Sequence, residues 1–209
     1  MSKPLPAVVR TYSTALRMLL VMTVILGIAY PLLVTGVSQV AFADKANGSI
    51  VQSEGKEVGS SLLGQSYDLP KKNPDDPKEE AQPDPQWFQP RPSAANYDPH
   101  GSAASNLGPN SDDLLKAVND RRAAVAAFDG VDPASVPPDA LTASGSGLDP
   151  HISLAYAQEQ VARVAKARHL SADAVAKLVE KYTEGRSVGF LGQAGVNVVL
   201  LNKALSEQR

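Results

Sequence analysis

The sequence predicts a single N-terminal transmembrane helix carrying one extracytoplasmic α+β (α/β) domain in which helices cover a small sheet. Three observations predict it. No charged side chain occurs from Met18 to Ala43, and the run LLVMTVILGIAYPLLVTGV is almost wholly apolar. Basic residues precede that run without an acid among them. Beyond it, amphipathic helical stretches alternate with short apolar pairs broken by glycine.

The apolar run exceeds the ~20 residues a helix needs to cross hydrocarbon. The competing reading is a cleavable signal peptide, since Ala41-Phe42-Ala43 has the small-x-small form that signal peptidase accepts. Signal-peptide cores hold about 7 to 15 apolar residues, so length favours a retained anchor. The expected organisation is a cytoplasmic segment over 1–14, a transmembrane helix over 15–40 and an extracytoplasmic domain over 41–209. Lys3, Arg10 and Arg17 before the span keep the N-terminus in the cytoplasm, while Asp44, Lys45, Glu54, Lys56 and Glu57 after it nearly cancel. With three of the 20 basic residues before the span, 17 remain against 22 acids, a formal charge of −5 on the exported part.

Within the span, Pro31 lacks an amide proton and its ring crowds the carbonyl of Gly27, which predicts a kink. Gly27, Pro31, Thr35 and Ser38 fall near one face and form a candidate helix-packing stripe. The alternative is that Gly and Pro are simply frequent in membrane helices.

After the span, Ile50-Val51 and Leu62-Leu63, separated by glycines at 55, 59 and 64, read as short strands and turns. The segment 68–90, DLPKKNPDDPKEEAQPDPQWFQP, is dense in proline and charge and reads as a mobile surface loop. Its acids Asp75, Asp76, Glu79 and Glu80 are interspersed with lysines and read as solvated, with no ligand. Asn110 is the expected cap of a helix with Leu114, Leu115, Val118, Val125 and Phe128 on one face, closed by Gly130 before Pro133. A second helix is expected from about Ser153 to Arg168, with Ala157, Val161, Val164 and Ala165 inward. A third opens at Ser171 with Val175, Leu178, Val179 and Tyr182, and Gly185 stops it. The last runs from roughly Asn197 to Glu207 with Val198, Leu201 and Leu205 on one side.

No catalytic machinery is expected. Cysteine is absent, which removes disulfides, thiolate metal sites and cysteine nucleophiles. A nearly balanced charge and few aromatics give no nucleic-acid footprint. Gly55-Lys56-Glu57 fails as a phosphate loop, and Asp44-Lys45 continues as Ala-Asn, so no phosphoenzyme aspartate is present. His100, His151 and His169 lack the spacing of zinc ligands. The stretch TASGSGLDPHIS, 142–153, crowds Ser144, Ser146, Asp149 and His151 together, but a nucleophile elbow needs GxSxG between strand and helix with its acid and base from elsewhere. The favoured reading is a capping loop, with Gly145 and Gly147 permitting a tight turn, Asp149 or Ser153 capping the next helix and Pro150 in its first turn. A tethered hydrolase using Ser144 or Ser146 with His151, or a ligand-binding domain, is the alternative.

Several ordered strings carry a family resemblance: YPLLVTG with Gln39 in the span, ANGSIV at 46–51, GSSLLGQSY at 59–67, FQPRPSA at 88–94 and YDPHGSAASNLGPNSDDL at 97–114. VPPDALTASGSGLDPHIS at 136–153, QVARVAKARHL at 160–170 and GQAGVNVVLLNKAL near the end continue it. Across nearly its whole length the chain resembles the C subunit of the bacterial Kdp high-affinity potassium-transporting ATPase. The resemblance implies a non-catalytic accessory subunit in the cell membrane, needed for assembly, whose partners are a potassium-channel-like subunit and a P-type ATPase subunit. It implies no cofactor of its own: potassium and ATP are handled by the partners, and the family is described as a catalytic chaperone raising ATP affinity. Arg91, Pro92, Ser93, Asn106, Leu107, Asp149 and His151 match its most recognisable motifs and are assigned as interface or loop-shaping residues. Two departures stand out: the insertion between Tyr67 and Trp87 is long, and Leu154 replaces a proline often found after the helix cap.

Overall fold

A computed structural model of the chain describes residues 6–73, 76 and 79–208. Lys3, used above for orientation, and Asp75, one of the loop acids, lie outside the described residues. The chain divides into two compact units between Ser49 and Ile50.

The first unit is one apolar helix, Ala7–Ala41, long and apolar enough to cross a membrane. At 1.5 Å per residue its 35 residues span about 50 Å, more than the ~30 Å hydrocarbon layer. The helix begins at Ala7, since nothing from Ala7 to Arg17 breaks it. The distortion expected at Pro31 takes the form of a single π-helical turn. Helix α1 (Ala7–Val24) widens over Ile25–Ala29 before α2 (Tyr30–Ala41), and Tyr30 N–H reaches back five residues to Ile25. The wider turn relieves the clash between the proline ring and the Gly27 carbonyl. After α2, the short turn α3 (Ala43–Ala46) is fastened by reciprocal amide bonds between Gln39 and Asn47, at 3.1 and 3.2 Å.

The second unit opens with the expected short strands. β1 (Ile50–Ser53) and β2 (Lys56–Ser60) form an antiparallel hairpin around Glu54 and Gly55, both with positive φ, the conformation that matches the twist of paired strands. From Ser61 to Ser111 the described chain is irregular. Helix α4 (Asp112–Asp129) is capped by Ser111, whose side chain accepts from Leu114 N–H, and not by Asn110 as expected. Gly130 closes it at φ 72°. Leu114, Val118 and Val125 face inward, but Leu115 is 61% exposed, since it lies about 100° around the helix from Leu114. After α5 (Pro138–Leu141), β3 (His151–Ile152) leads into α6 (Leu154–Arg168), capped by Ser153. Leu154 therefore opens the helix without the customary proline, whereas Pro150 lies outside it.

Helix α7 (Ala172–Lys181) starts at its Ser171 cap but ends before Gly185. Thr183–Glu184 instead form β4, which pairs with β5 (Gly195–Asn197). The resulting antiparallel sheet has the order β3-β5-β4. Asn197 ends β5 and caps α8 (Val198–Ser206), accepting from Val199 and Leu200 N–H at 3.1 Å each. The core combines Ala157 and Val164 of α6, Val175 and Val179 of α7, Leu201 and Leu205 of α8, and Phe88 from the irregular segment. The architecture is thus a long apolar helix and a small α/β domain with two small sheets.

Candidate functional site

Two polar constellations organise the second unit, and sequence patterning pointed only to one. The overlooked one surrounds PDPQWFQP, the end of the segment expected to be a surface loop. Asn202 on α8 accepts from Phe88 N–H and donates to Phe88 C=O, both at 2.9 Å. Gln160 on α6 does the same for Gln89, at 2.6 and 3.1 Å. Two side-chain amides thus replace a neighbouring strand. Arg163, one helical turn beyond Gln160, donates to Pro85 C=O at 2.8 Å, Trp87 C=O at 2.9 Å and Gln160 Oε1 at 2.6 Å. Its remaining edge meets the buried Asp129 carboxylate at 2.5 Å. Arg168 stacks 4.0 Å above the Trp87 ring and holds Gln86 C=O.

Residues 84–90 are therefore seated in the domain and Phe88 is fully buried, a correction to the expected surface loop over 68–90. Burial pushes the Asp129 carboxyl upward, and Arg163 offsets this in part. Glu159, beside Gln160 in sequence, is pushed up to about 7, first by burial and then by Asp129 and Asp139. It is a second group that the sequence did not single out.

The other constellation joins four separated residues. Arg91 Nη1 lies 3.1 Å from Asp149 Oδ2, while Asp149 Oδ1 accepts from His151 N–H at 2.9 Å. The imidazole stands between two carboxylates, with Nδ1 3.4 Å from Asp149 and Nε2 3.4 Å from Glu184 on β4. Burial alone would raise Asp149, but hydrogen bonds from His151 and the Arg91 charge outweigh it and hold the carboxyl below its ordinary pKa. The Asp149 hydrogen bond raises His151, partly opposed by burial and helped by Glu184. Arg91, Asp139, Asp149, His151 and Glu184 line one cleft of about 660 Å³.

Ser93 fastens the loop above this cluster. Its hydroxyl donates to Gly147 C=O at 2.6 Å and accepts from Ala95 and Tyr97 N–H. Gly147 has φ +70°, and a Cβ there would lie 2.7 Å from Ala103 C=O, so close approach and backbone conformation both demand glycine. Of the residues singled out by sequence, Arg91, Ser93, Asp149 and His151 are brought together, with Pro92 half-buried between Arg91 and Ser93. Asn106 and Leu107 stay exposed apart from them; Asn106 takes φ +53° and bonds only Ala104 C=O among the described contacts. Gly27, Pro31, Thr35 and Ser38 belong to the first unit.

The loop does not have the arrangement of a hydrolase. The Ser144 hydroxyl accepts from Gly147 N–H and Ser146 from Leu148 N–H, while both imidazole nitrogens face carboxylates. Among the described contacts neither serine reaches His151, so no base stands ready to activate a nucleophile. Asp149 does not cap α6 either; Ser153 does, held by Asp139. Among the described residues no group of three or more His, Asp or Glu is disposed to hold a metal ion.

The family model described as KdpC, K+-transporting ATPase, c chain, matches residues 12–207. A potassium-transporting ATPase KdpC subunit of Kineococcus radiotolerans is 54% identical over 207 residues, covering 98% of this chain and 97% of its own. Those of Streptomyces avermitilis and Sorangium cellulosum are each 48% identical, covering 92% and 93% of this chain and 91% and 96% of theirs. With a family model and full-length relatives matching from the apolar helix to α8, the chain belongs to the KdpC family of K+-transporting ATPase subunits.

Proposed function

We propose that this chain is a non-catalytic accessory subunit of a high-affinity, ATP-driven potassium uptake complex in the bacterial cell membrane. The family match along the full length carries this reading. Its partners are a potassium-channel-like subunit and a P-type ATPase subunit, which handle potassium and ATP. The apolar helix crosses the membrane with its N-terminus in the cytoplasm and packs on a partner helix through Gly27, Pro31, Thr35 and Ser38. The α/β domain then lies outside and steadies the potassium-conducting subunit. Its cross-linked loops are suited to holding a surface in shape, which is an assembly role. Any rise in the ATP affinity of the ATPase subunit passes through the membrane subunits as a coupling between two states.

The test is a mild-detergent pull-down through a C-terminal tag from potassium-starved cells of the native host, with bound proteins identified by mass spectrometry. Joint recovery of a P-type ATPase and a channel-like subunit is expected. An intact, monomeric tagged chain with neither partner would overturn the assembly reading. Protease added to intact spheroplasts should cut within the α/β domain; protection there would reverse the orientation.

A further inference from the structure

The junction where α4 and α5 meet α6 gathers three acids. Asp129 ends α4, Asp139 stands in the first turn of α5 and Glu159 lies in the second turn of α6. The buried Asp129 carboxylate is answered by Arg163 Nε at 2.5 Å. Asp139 is answered too, accepting from Ser153 N–H at 2.7 Å and from Ser153 O–H at 2.8 Å. Glu159 differs from both. Its side chain is half-buried, its Oε1 is closed off from solvent, and that oxygen has no hydrogen-bond partner among the described residues.

Among the described ion pairs no cation serves Glu159 either. A Glu and an Arg four residues apart on a helix ordinarily pair. Arg163 instead turns to Asp129, and its other nitrogens hold Pro85 C=O, Trp87 C=O and Gln160 Oε1. On α4, Arg121 donates to Leu141 C=O and Arg122 to Asn119 Oδ1. Tyr156, three residues before Glu159 on α6, adds no charge, because burial pushes its hydroxyl pKa up. A carboxylate oxygen shut away from water, beside two other carboxylates and without a counter-ion, is costly to ionise, so the group keeps its proton. Burial first, then Asp129 and Asp139, push the Glu159 carboxyl up to about 7.

We propose that Glu159 is a proton-binding site whose occupancy sets how firmly the ends of α4 and α5 are held on α6. With the proton bound, Asp129 has Arg163 to itself and the junction is closed. When the proton leaves to solvent through the exposed part of the side chain, Glu159 repels Asp129 and Asp139 and competes with Asp129 for Arg163. Because Arg163 also holds the Pro85 and Trp87 carbonyls, the change reaches the PDPQWFQP segment. The site operates in the isolated chain whatever its orientation; with the α/β domain outside the membrane, as proposed above, its proton comes from the external medium.

The test compares the purified full chain in mild detergent with Glu159→Gln, which fixes the neutral form. A group with a raised pKa contributes fully below its ordinary value and loses that contribution as pH rises through the folded one. The two chains should therefore unfold at the same temperature at about pH 5.5, whereas at about pH 8.5 the Gln variant should unfold roughly 3–6 °C higher. Emission from Trp87, the only tryptophan, should shift in the wild type with a midpoint at about pH 7 and stay flat in Glu159→Gln. His151→Gln and His169→Gln, which remove the histidines at either end of α6, should keep the shift. Glu159→Ala also removes the charge and should show the same flat emission, which keeps the test decisive if the Gln variant packs badly. A wild-type chain without the shift, a shift that persists in both Glu159 variants, a histidine variant that abolishes it, or a stability gap that does not widen with pH overturns the proposal.

Discussion

Replacing Asn202 by alanine removes a side chain that is 2% exposed and serves as the hydrogen-bonding neighbour of Phe88. Both polar groups of the Phe88 backbone lose their partner, and the fully buried Phe88 ring beside them leaves little access for water. Each unsatisfied buried group costs about 1–3 kcal/mol, so the pair costs about 2–6 kcal/mol. Against a typical total of about 5–15 kcal/mol this is a large fraction of the stability. For a domain of this size it corresponds to a fall of roughly 5 to 20 °C in Tm. Asn202→Asp restores an acceptor for Phe88 N–H but sets a buried carboxylate against Phe88 C=O, and should be no milder. Trp87 is the only tryptophan, sits next to Phe88 and is stacked under Arg168, so its fluorescence reports this segment directly. Urea unfolding of the full chain in mild detergent, followed through Trp87, is the assay. A loss below about 1 kcal/mol for Asn202→Ala, the scale of an ordinary exposed hydrogen bond, would refute the clamp as a stabilising device.

Arg163→Met should cost about 3–5 kcal/mol because it strands the buried Asp129 carboxylate, and adding Asp129→Leu should recover much of the loss in the same unfolding assay. Equal losses in the single and double variants would count against the ion pair as the cause. His151 has a raised pKa, so its contribution is fully present below its ordinary value and disappears as pH rises through the folded one; Asp149 has a lowered pKa, so its contribution is present above its ordinary value and disappears as pH falls through the folded one. The stability difference between wild type and His151→Gln should therefore be greatest between those limits and shrink towards alkaline pH, measured as Tm between about pH 4 and pH 9. A difference that grows with pH would reverse the assignment. Gly147→Ala should destabilise by more than about 2 kcal/mol, adding left-handed strain to a collision with Ala103, whereas Gly108→Ala, in open space, should have little effect.

Helix positions were legible because their signals are local. Ser153, Ser171, Asn197 and Gly130 all sit where capping chemistry places them, and Ser111 in place of Asn110 is a contest between adjacent cap formers. The sheet was legible only in outline, since β3 and β4 are two residues each and too short to show alternation. The clamp drew no expectation from the sequence, because Gln160 and Asn202 find their partners far along the chain. Its partners lie 71 and 114 residues away along the chain, yet a local trace existed. Gln160 falls between Ala157 and Val164 at helical spacing, and Asn202 lies between Val198 and Leu205, both on the apolar face. A polar amide in an apolar stripe signals buried backbone that needs a partner.

The same reasoning explains why the most suggestive sequence for chemistry is occupied with shape. In the 142–153 loop each conspicuous group already serves a neighbour: Ser144 and Ser146 accept backbone amides, Asp149 takes Arg91 and His151, and Ser153 caps α6. A nucleophile needs a hydroxyl whose proton faces a base, and an acid or base needs a nitrogen or oxygen turned toward substrate. Here the imidazole instead spans two carboxylates and joins β3 to β4. Ser93 and the closely approached Gly147 lock a second loop onto the first. Such a lattice loses reactivity and gains a fixed outline. Polar groups satisfied internally in this way hold the two loops to one shape.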